Sequence, residues 1–284
     1  MNNARKRPAI AFALAGLRLA VLLPCFGPVA LRAAAEEEVR HWTVAGAARE
    51  GLVFAPRSPA ASPAPLVFAF HGHGGSMRQA ARSFQLHARW PEACVVYLQG
   101  LNTPGVLSDP EGRRPGWQHR PGDQGDRDLK FFDAVLADLR ARHSIDDRRV
   151  YATGHSNGGI FTYLLWAERG AVLAAVAPSG AAAPRLLRQL RPKPVLHVAG
   201  EADPLVKYAW QRQTIDAVLA LNRAGPGRPW AHGGTWHDSP LEAPVVDWTH
   251  PGGHEFPAAA RAAIVEFFRA DAEAKDRSDR TKRK

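Results

Sequence analysis

The sequence predicts a single α/β domain in which a mostly parallel central sheet is flanked by helices. Segments with strand character alternate along the chain with segments of helical character, which is the order of an α/β layout. The strand segments are continuous apolar runs, as expected of parallel strands that are covered on both faces. The chain has 284 residues, 45% of them hydrophobic, enough for one large core, and it contains no internal repeat.

Five apolar runs are predicted to form the strands of this sheet. Ahead of them, the segment 38–58 has the pattern of an antiparallel hairpin that would form one edge. Cys94 lies in the second run, and we expect it to be a buried strand residue. The five runs are PLVFAFHG at 65–72, ACVVYLQG at 93–100, RRVYATG at 148–154, VLAAVAPSG at 172–180 and KPVLHVAGEAD at 193–203.

Helical periodicity is clearest at 126–143, between the second and third strand runs. Either Asp126 or Asp128 can cap the amino end of this helix. Further helices are expected to start just after Ser156 and to cover most of 210–225 and 257–271. In the predicted helix at 126–143, the apolar residues at helical spacing are Leu129, Phe132, Leu136 and Leu139.

The first 35 residues have the pattern of an export signal. Three basic residues at 5–7 precede an apolar run at 9–31, and three alanines at 33–35 offer a small-residue cleavage site. The mature chain is therefore expected to begin near Glu36 and to be secreted or periplasmic.

A membrane anchor is the alternative interpretation of this leader. However, Arg18, Pro24 and Pro28 interrupt the apolar run, and no second apolar span follows. We therefore expect no stable membrane span after cleavage. Cys94 is then the only cysteine left, so no internal disulfide is expected.

The formal net charge of +10 comes mostly from the ends of the chain. The leader carries five basic residues and no acidic ones, and the segment 269–284 carries seven basic and four acidic residues, which leaves +2 for the body. A nucleic-acid-binding patch interleaves basic with aromatic residues, whereas 271–284 mixes both charges without an aromatic. We predict a folded domain at 36–270, a charged, disordered tail at 271–284 and no nucleic-acid partner.

The motif GHSNG at 154–158 matches Gly-x-Ser-x-Gly, and it stands between a predicted strand and a predicted helix. A tight strand-to-helix turn exposes the Ser156 hydroxyl at the carboxyl edge of the sheet, and the flanking glycines keep Cβ atoms out of the bend. The new helix supplies free N–H groups where an oxyanion would develop, so Asn157 N–H is one candidate donor. The sequence therefore predicts a serine nucleophile.

A serine hydroxyl requires a histidine to take its proton and an acid to orient that histidine. Asp203 follows the strand run at 193–203, at the same edge as Ser156, and is the predicted acid. Two histidines, His250 and His254, then lie in a glycine-rich loop before the last helix. Serine, acid and histidine occur in the order that this architecture requires.

The second oxyanion donor is expected in the turn FHGHGGS at 70–76, which follows the first strand run. The backbone N–H of His73 is the first candidate and that of Gly74 the second. His71 and His73 also form an H-x-H pair, but no third ligand with suitable spacing lies nearby, so we expect no metal and no cofactor.

The segment 101–125 is rich in proline, glycine and charge and is predicted to be a long surface loop that shapes a binding site. Trp117 and Gln118 lie in it, and we predict that they form walls of the acyl or alcohol pocket. The alternative is that the aromatic residue anchors the loop to the body. The same alternative applies to three tryptophans closer to the histidine loop: Trp230, Trp236 and Trp248.

These residues resemble the α/β-hydrolase superfamily and, within it, the polyhydroxybutyrate depolymerase and feruloyl esterase group of secreted carboxylesterases. In that group the histidine that closes a GGH loop is catalytic, which implies His254 and leaves His250 a supporting role, and a GxxDxxV block implies Asp203. The resemblance covers roughly 49–269 and rests on HGHGGS at 71–76, GWQ at 116–118, DLKFFDAVLADL at 128–139, RRVYATGHSNGG at 148–159, VLHVAGEADPLV at 195–206 and HPGGHEFP at 250–257.

The resemblance implies a serine carboxylesterase that works through an acyl-enzyme. Polymer depolymerases of the group often carry a linker and a polymer-binding module, and many relatives have disulfides; this sequence shows neither, so we expect small or oligomeric esters of the hydroxyalkanoate or feruloyl and acetyl type. The alternatives are an acyltransferase or a serine peptidase on the same fold, and a non-catalytic secreted binding protein.

Overall fold

A computed structural model of the chain describes Met1 and residues 37–57, 63–105 and 107–282. The predicted export signal at 1–35 lies outside these residues, apart from Met1. The described residues from Glu37 onward belong to one compact unit. Its strands are β1 (Glu37–Val44), β2 (Ala47–Phe54), β3 (Ala64–Phe70), β4 (Cys94–Leu98), β5 (Leu101–Asn102), β6 (Pro115–Gly116), β7 (Ile145–His155), β8 (Ala175–Ser179), β9 (Val195–Gly200), β10 (Gly227–Pro229), β11 (Thr235–His237) and β12 (Val245–His250).

Ten of these strands form one sheet in the order β1-β2-β4-β3-β7-β8-β9-β12-β11-β10. The six central strands, β4, β3, β7, β8, β9 and β12, are parallel. Two antiparallel strands extend the sheet at each edge: β2 and β1 at one, β11 and β10 at the other. The predicted strand runs and the predicted edge hairpin, β1–β2, are confirmed. The strands β5, β6, β10, β11 and β12 were not predicted. Four of them have only two or three residues, too few to show a period, whereas β12 (Val245–His250) is a central strand that the sequence analysis missed.

Helices cover both faces of the sheet. Alternate residues of β3 point to opposite faces: Phe68 packs with α3 and α4, while Val67 packs with α1, α2 and α6. This two-sided burial is the reason that the parallel strands read as continuous apolar runs. The helices are α1 (Met77–Phe84), α2 (Leu86–Arg89), α3 (Arg127–Arg142), α4 (Asn157–Arg169), α5 (Tyr208–Leu221) and α6 (Ala260–Lys282), with 3₁₀ turns at Asp123–Asp126 and Leu187–Gln189.

The last helix differs from the prediction of a disordered tail at 271–284. Helix α6 continues to Lys282. The Tyr151 hydroxyl on β7 donates to Asp271 Oδ2 at 3.0 Å, and Lys275 Nζ donates to the same carboxylate and to the carbonyl of Arg148. Ala272 is still buried. The start of the charged segment, at Asp271 and Lys275, is therefore bonded to β7, an interaction that its composition does not reveal.

The amino end of α3 also differs from its prediction. Neither Asp126 nor Asp128 caps the helix with its side chain. Instead, Gln118 Oε1 accepts hydrogen bonds from the backbone N–H groups of Asp128 and Leu129 at 3.1 and 3.2 Å. The Asp128 carboxylate accepts from the Gln118 N–H and from Arg49, whose guanidinium lies 4.0 Å from the Phe131 ring centroid.

Cys94 is buried in β4, as predicted, and has no disulfide partner. Burial raises the pKa of its thiol to about 12. No helix in the described part of the chain is both long and apolar enough to span a bilayer.

The fully buried Arg49–Asp128 ion pair generates a stability prediction, because removing one partner leaves an uncompensated buried charge. We expect Asp128→Ala to lower the free energy of unfolding by about 3–5 kcal/mol. The control is Asp147→Ala, which removes the exposed pair with Arg140 and should cost less than about 1 kcal/mol. Urea denaturation measures both, and equal losses in the two variants would contradict the assignment.

Candidate active site

Ser156 occupies the sharp bend between β7 and α4. Its backbone has φ 57° and ψ −119°, a conformation that costs energy for a residue with a side chain. The bend is held because the Ser156 N–H donates to the carbonyl of Ser179 at 2.8 Å. A Cβ at Gly154 would overlap the carbonyl oxygen of Gly158, and one at Gly158 would overlap that of Phe70. The motif's glycines are therefore required by close backbone contacts.

The structure brings Ser156, His254 and Asp203 into one hydrogen-bonded series. His254 Nδ1 lies 2.7 Å from Asp203 Oδ2, and His254 Nε2 lies 2.8 Å from Ser156 Oγ. Since a carboxylate only accepts, Nδ1 carries the proton and Nε2 accepts from the serine hydroxyl. Ser156 follows β7 and Asp203 follows β9, the strand ends at which the sequence analysis placed them, while His254 lies in the loop that follows β12.

Asp203 is held rigidly in a buried position, 6% exposed. Its Oδ1 accepts from the N–H groups of Leu205 and Val206, both at 2.9 Å, and its Oδ2 accepts from Gln211 Nε2 at 3.0 Å in addition to His254. Four donors thus stabilise the ionised carboxylate.

His250 has a different place from His254. It ends β12, where its Nδ1 accepts from the Gly252 N–H at 3.1 Å. Its hydrogen bond shapes the glycine-rich turn that carries His254. The choice of His254 over His250 agrees with this geometry.

His155 is a part of the site that sequence reasoning missed, because it occupies the variable position of the serine motif. Its Nε2–H donates to the carbonyl of His254 at 2.8 Å, and its Nδ1 accepts from the Ser179 hydroxyl at 3.1 Å. Burial, with a smaller contribution from His254, lowers the pKa of His155 to about 4. It is therefore a neutral brace that fixes the backbone of His254.

The predicted oxyanion donors divide into two groups. The Gly74 N–H donates to the carbonyl of Pro115 at 2.7 Å, so it is not free for a substrate and that prediction is wrong. His73 and Asn157 both line the cavity beside Ser156. Asn157 opens α4, where N–H groups have no partner within the helix. The backbone amides of His73 and Asn157 remain the candidate donors.

The side chain of Asn157 holds the long loop 101–125 against α4. Its Oδ1 accepts from the Trp117 N–H at 2.7 Å, and its Nδ2 donates to the Trp117 carbonyl and to His119 Nε2, each at 2.9 Å. A second contact to the same loop comes from His73, whose Nε2 lies 3.1 Å from Asp109 Oδ2. The loop is thus held at two places, Asp109 and Trp117–His119, by residues that line the cavity.

Trp117 and Gln118 do not line the cavity, and the prediction that they form its walls is wrong. Both side chains are fully buried. Trp117 packs on Phe70 and Phe161 and donates from Nε1 to the His71 carbonyl, while Gln118 caps α3. The alternative, that the aromatic residue anchors the loop, agrees with the structure. The next residue, His119, lines the cavity instead.

Two adjoining cavities open at this edge of the sheet. The first, about 310 Å³, contains Ser156 and His254; the second, about 300 Å³, shares Leu107, His119, Ile160 and Val206 with it. The second cavity is mostly apolar and has Trp210, 45% exposed, among its lining residues. Trp230, Trp236 and Trp248 line neither cavity.

A larger groove of about 750 Å³ lies at the opposite end of the strands, between Leu173, Asp271 and neighbouring residues, and contains none of the candidate catalytic residues. Within the described residues, no group of three or more His, Cys, Asp or Glu side chains is arranged to hold a metal ion.

No family model matches the chain. Among curated proteins, the chain is similar to NocK of Nocardia uniformis subsp. tsuyamanensis, which is named as an esterase. The two are 34% identical over 196 residues, and the match covers 66% of this chain and 55% of that protein. The chain is 30% identical over 160 residues to feruloyl esterase D of Neurospora crassa, covering 56% of this chain and 49% of that protein. The chain therefore spans about half the length of these relatives.

Solved structures share the fold at low sequence identity. The Staphylococcus aureus fluorophosphonate-binding serine hydrolase FphF has a TM-score of 0.58 and 14% identity, covering 84% of this chain and 99% of that one. A feruloyl esterase module from Clostridium thermocellum, complexed with sinapinate, has a TM-score of 0.58 and 13% identity, covering 83% and 87%. Together with the curated relatives, these neighbours confirm the predicted α/β-hydrolase fold and the resemblance to feruloyl esterases.

Three buried histidines generate a prediction for the pH dependence of stability. Burial lowers the pKa of His71, His155 and His197 from 6.5 to about 4 in the folded state. Between pH 6.5 and 4 the unfolded chain binds more protons than the folded one, so stability falls as the pH falls through this window. The urea midpoint should drop between pH 7 and pH 4.5.

The variant His71→Gln should make this pH dependence shallower, while His41→Gln, at a side chain 72% exposed, should leave it unchanged. A wild-type midpoint that is constant from pH 7 to 4.5 would show that these imidazoles are not buried as described.

Proposed function

We propose that this α/β-hydrolase chain is a serine carboxylesterase with Ser156 as nucleophile, His254 as general base and Asp203 as the orienting acid. One observation carries the proposal: the two hydrogen bonds, 2.7 and 2.8 Å, that link the three side chains in series on the wall of an open cavity. The names of the curated relatives, esterases and feruloyl esterases, support the reaction class.

In the proposed reaction, His254 Nε2 takes the Ser156 proton while Oγ attacks the ester carbonyl. The tetrahedral oxyanion is stabilised by the N–H groups of His73 and Asn157, which the fold holds in place before the substrate binds. The imidazolium of His254 then gives its proton to the leaving alcohol. Water, activated by the same imidazole, hydrolyses the acyl-enzyme. Asp203 stays ionised and no cofactor takes part.

The two adjoining cavities support small or oligomeric esters, of the hydroxyalkanoate or feruloyl and acetyl type, as substrates. One group of the ester would occupy the cavity at Ser156, and the other would extend into the apolar cavity lined by Ala183, Leu186 and Trp210. We further propose that the protein acts after export, in the periplasm or outside the cell, on the basis of the leader at 1–35.

The first test is covalent labelling with a fluorophosphonate probe. The wild-type protein should be labelled, and Ser156→Ala should not. His254→Ala should lower kcat for p-nitrophenyl acetate by roughly 10⁴-fold or more, because the serine loses its base. His250→Ala is the matched control in the same loop and should keep most of the activity.

A folded wild-type protein that takes no label would favour a binding protein over an enzyme. Loss of turnover in His250→Ala with retention in His254→Ala would overturn the assignment of the base. Product analysis with p-nitrophenyl acetate, feruloyl esters, hydroxybutyrate oligomers and peptides separates an esterase from a peptidase, and added alcohols reveal an acyltransferase.

The second test concerns the apolar cavity. Because Trp210 offers an exposed aromatic face there, Trp210→Ala should lower kcat/KM for feruloyl esters about tenfold, mainly through KM, and leave p-nitrophenyl acetate hydrolysis nearly unchanged. Trp236→Ala, which lies at the distant groove, is the control and should change neither substrate. Equal losses for both esters in Trp210→Ala would place the larger substrate group elsewhere.

A further inference from the structure

Buried polar side chains continue from Asp203 into the core. Gln211, on α5, has no accessible surface, and its Nε2 lies 3.0 Å from Asp203 Oδ2 and 2.6 Å from the Val206 carbonyl oxygen. Both partners are acceptors only, so the amide nitrogen must face them and Gln211 Oε1 must face away. The orientation of this amide is thereby fixed.

On the far side of Gln211 lies His197, a β9 residue that is 1% exposed and has no part in the reaction described above. Its Nδ1 lies 2.7 Å from the hydroxyl of Tyr163, a fully buried residue of α4. Burial lowers the pKa of His197 to about 4, against smaller opposing effects from Asp247 and Gln211, so the ring is neutral. A neutral imidazole has one donor and one acceptor.

The remaining polar atoms of these two side chains complement each other. His197 Nε2 and Gln211 Oε1 are both buried, and neither has a hydrogen-bond partner among the described residues, the other of the two included. Gln211 nevertheless lies close enough to raise the pKa of His197, which is the effect expected of a side-chain oxygen that accepts from the imidazole. A buried donor and a buried acceptor in neighbouring side chains are each costly to leave unpaired, so a small side-chain rotation that joins them is expected. His197 then carries its proton on Nε2, and its Nδ1 accepts from the Tyr163 hydroxyl.

We propose that Tyr163, His197 and Gln211 form a buried hydrogen-bond relay that positions the Asp203 carboxylate for His254. This inference rests on the proposed function and deepens it. Gln211 is a positioning residue: its N–H occupies one lone pair of Oδ2, which leaves the other directed at His254 Nδ1. Each hydrogen bond in the series allows only one orientation for the next. The hydroxyl of Tyr163, in the core, thereby influences the orientation of the Asp203 carboxylate.

The kinetic test uses Gln211→Met, which keeps the side-chain volume and removes the donor. We expect kcat for p-nitrophenyl acetate to fall about 10- to 100-fold with little change in KM. With one donor fewer, the carboxylate attracts the imidazolium proton more strongly, so the acid limb of the kcat/KM profile should move to higher pH. The other histidines that line the cavity with His254, namely His73, His119 and His155, are unchanged in this variant, as are His250 and Glu255 of the neighbouring turn.

The matched control is Thr214→Val, on the same helix. Thr214 is also buried, and its Oγ1 donates to the Trp210 carbonyl and accepts from the Ala183 N–H, with no link to Asp203. A merely structural disturbance of α5 would lower activity in both variants without moving the acid limb. A Gln211→Met enzyme with the wild-type kcat and acid limb overturns the relay.

A spectroscopic test needs neither activity nor a folded Gln211 variant. In wild-type protein with ¹⁵N-labelled imidazoles, His197 should be the Nε2–H tautomer with a hydrogen-bonded, unprotonated Nδ1. Tyr163→Phe should shift the Nδ1 resonance of His197, and Tyr151→Phe, which removes a buried hydroxyl outside the relay, should not. Finding the Nδ1–H tautomer of His197 would overturn the relay. If His197 has the expected tautomer but the wild-type protein takes no fluorophosphonate label, only the proposed esterase function is overturned.

Discussion

The bend at Ser156 is the constraint on which the candidate site depends. The strand β7 lies in the middle of the parallel sheet, and α4 must turn away from it within one residue, which leaves Ser156 with a positive φ. The contacts that force this geometry are backbone contacts with the neighbouring strands, through the Ser179 carbonyl on one side and the Phe70 carbonyl on the other. The energy of packing the sheet therefore maintains a conformation that an isolated serine would avoid.

The same bend organises the surroundings of the nucleophile. Asn157, one residue later, begins the helix, and its side chain holds the loop at Trp117. The residue next to the nucleophile therefore also fixes the loop that completes the cavity. His155, one residue earlier, reaches His254 across the sheet edge. Three consecutive residues thus connect the carboxyl ends of the strands with the loops that complete the cavity.

The sequence allowed the parallel sheet and the order serine, aspartate, histidine to be predicted, because apolar runs and strand-end positions follow from local pattern. It did not allow the partners of individual polar groups to be predicted. The N–H of Gly74 is taken by a carbonyl of a loop 41 positions later, and Gln118 is buried as a helix cap although it lies in a loop of surface composition. The hydroxyl that binds Asp271 of α6 belongs to Tyr151, 120 positions earlier in the sequence. Contacts of this kind are set by the tertiary fold, and no periodicity records them.

The burial of the Cys94 thiol has a consequence for its reactivity. It lies in the interior of β4, and burial keeps it in the protonated form, which is a poor nucleophile towards disulfides. The described residues contain no second sulfhydryl with which it could be oxidised. Within the folded domain, burial therefore shields Cys94 from exchange with disulfides in the surrounding solution.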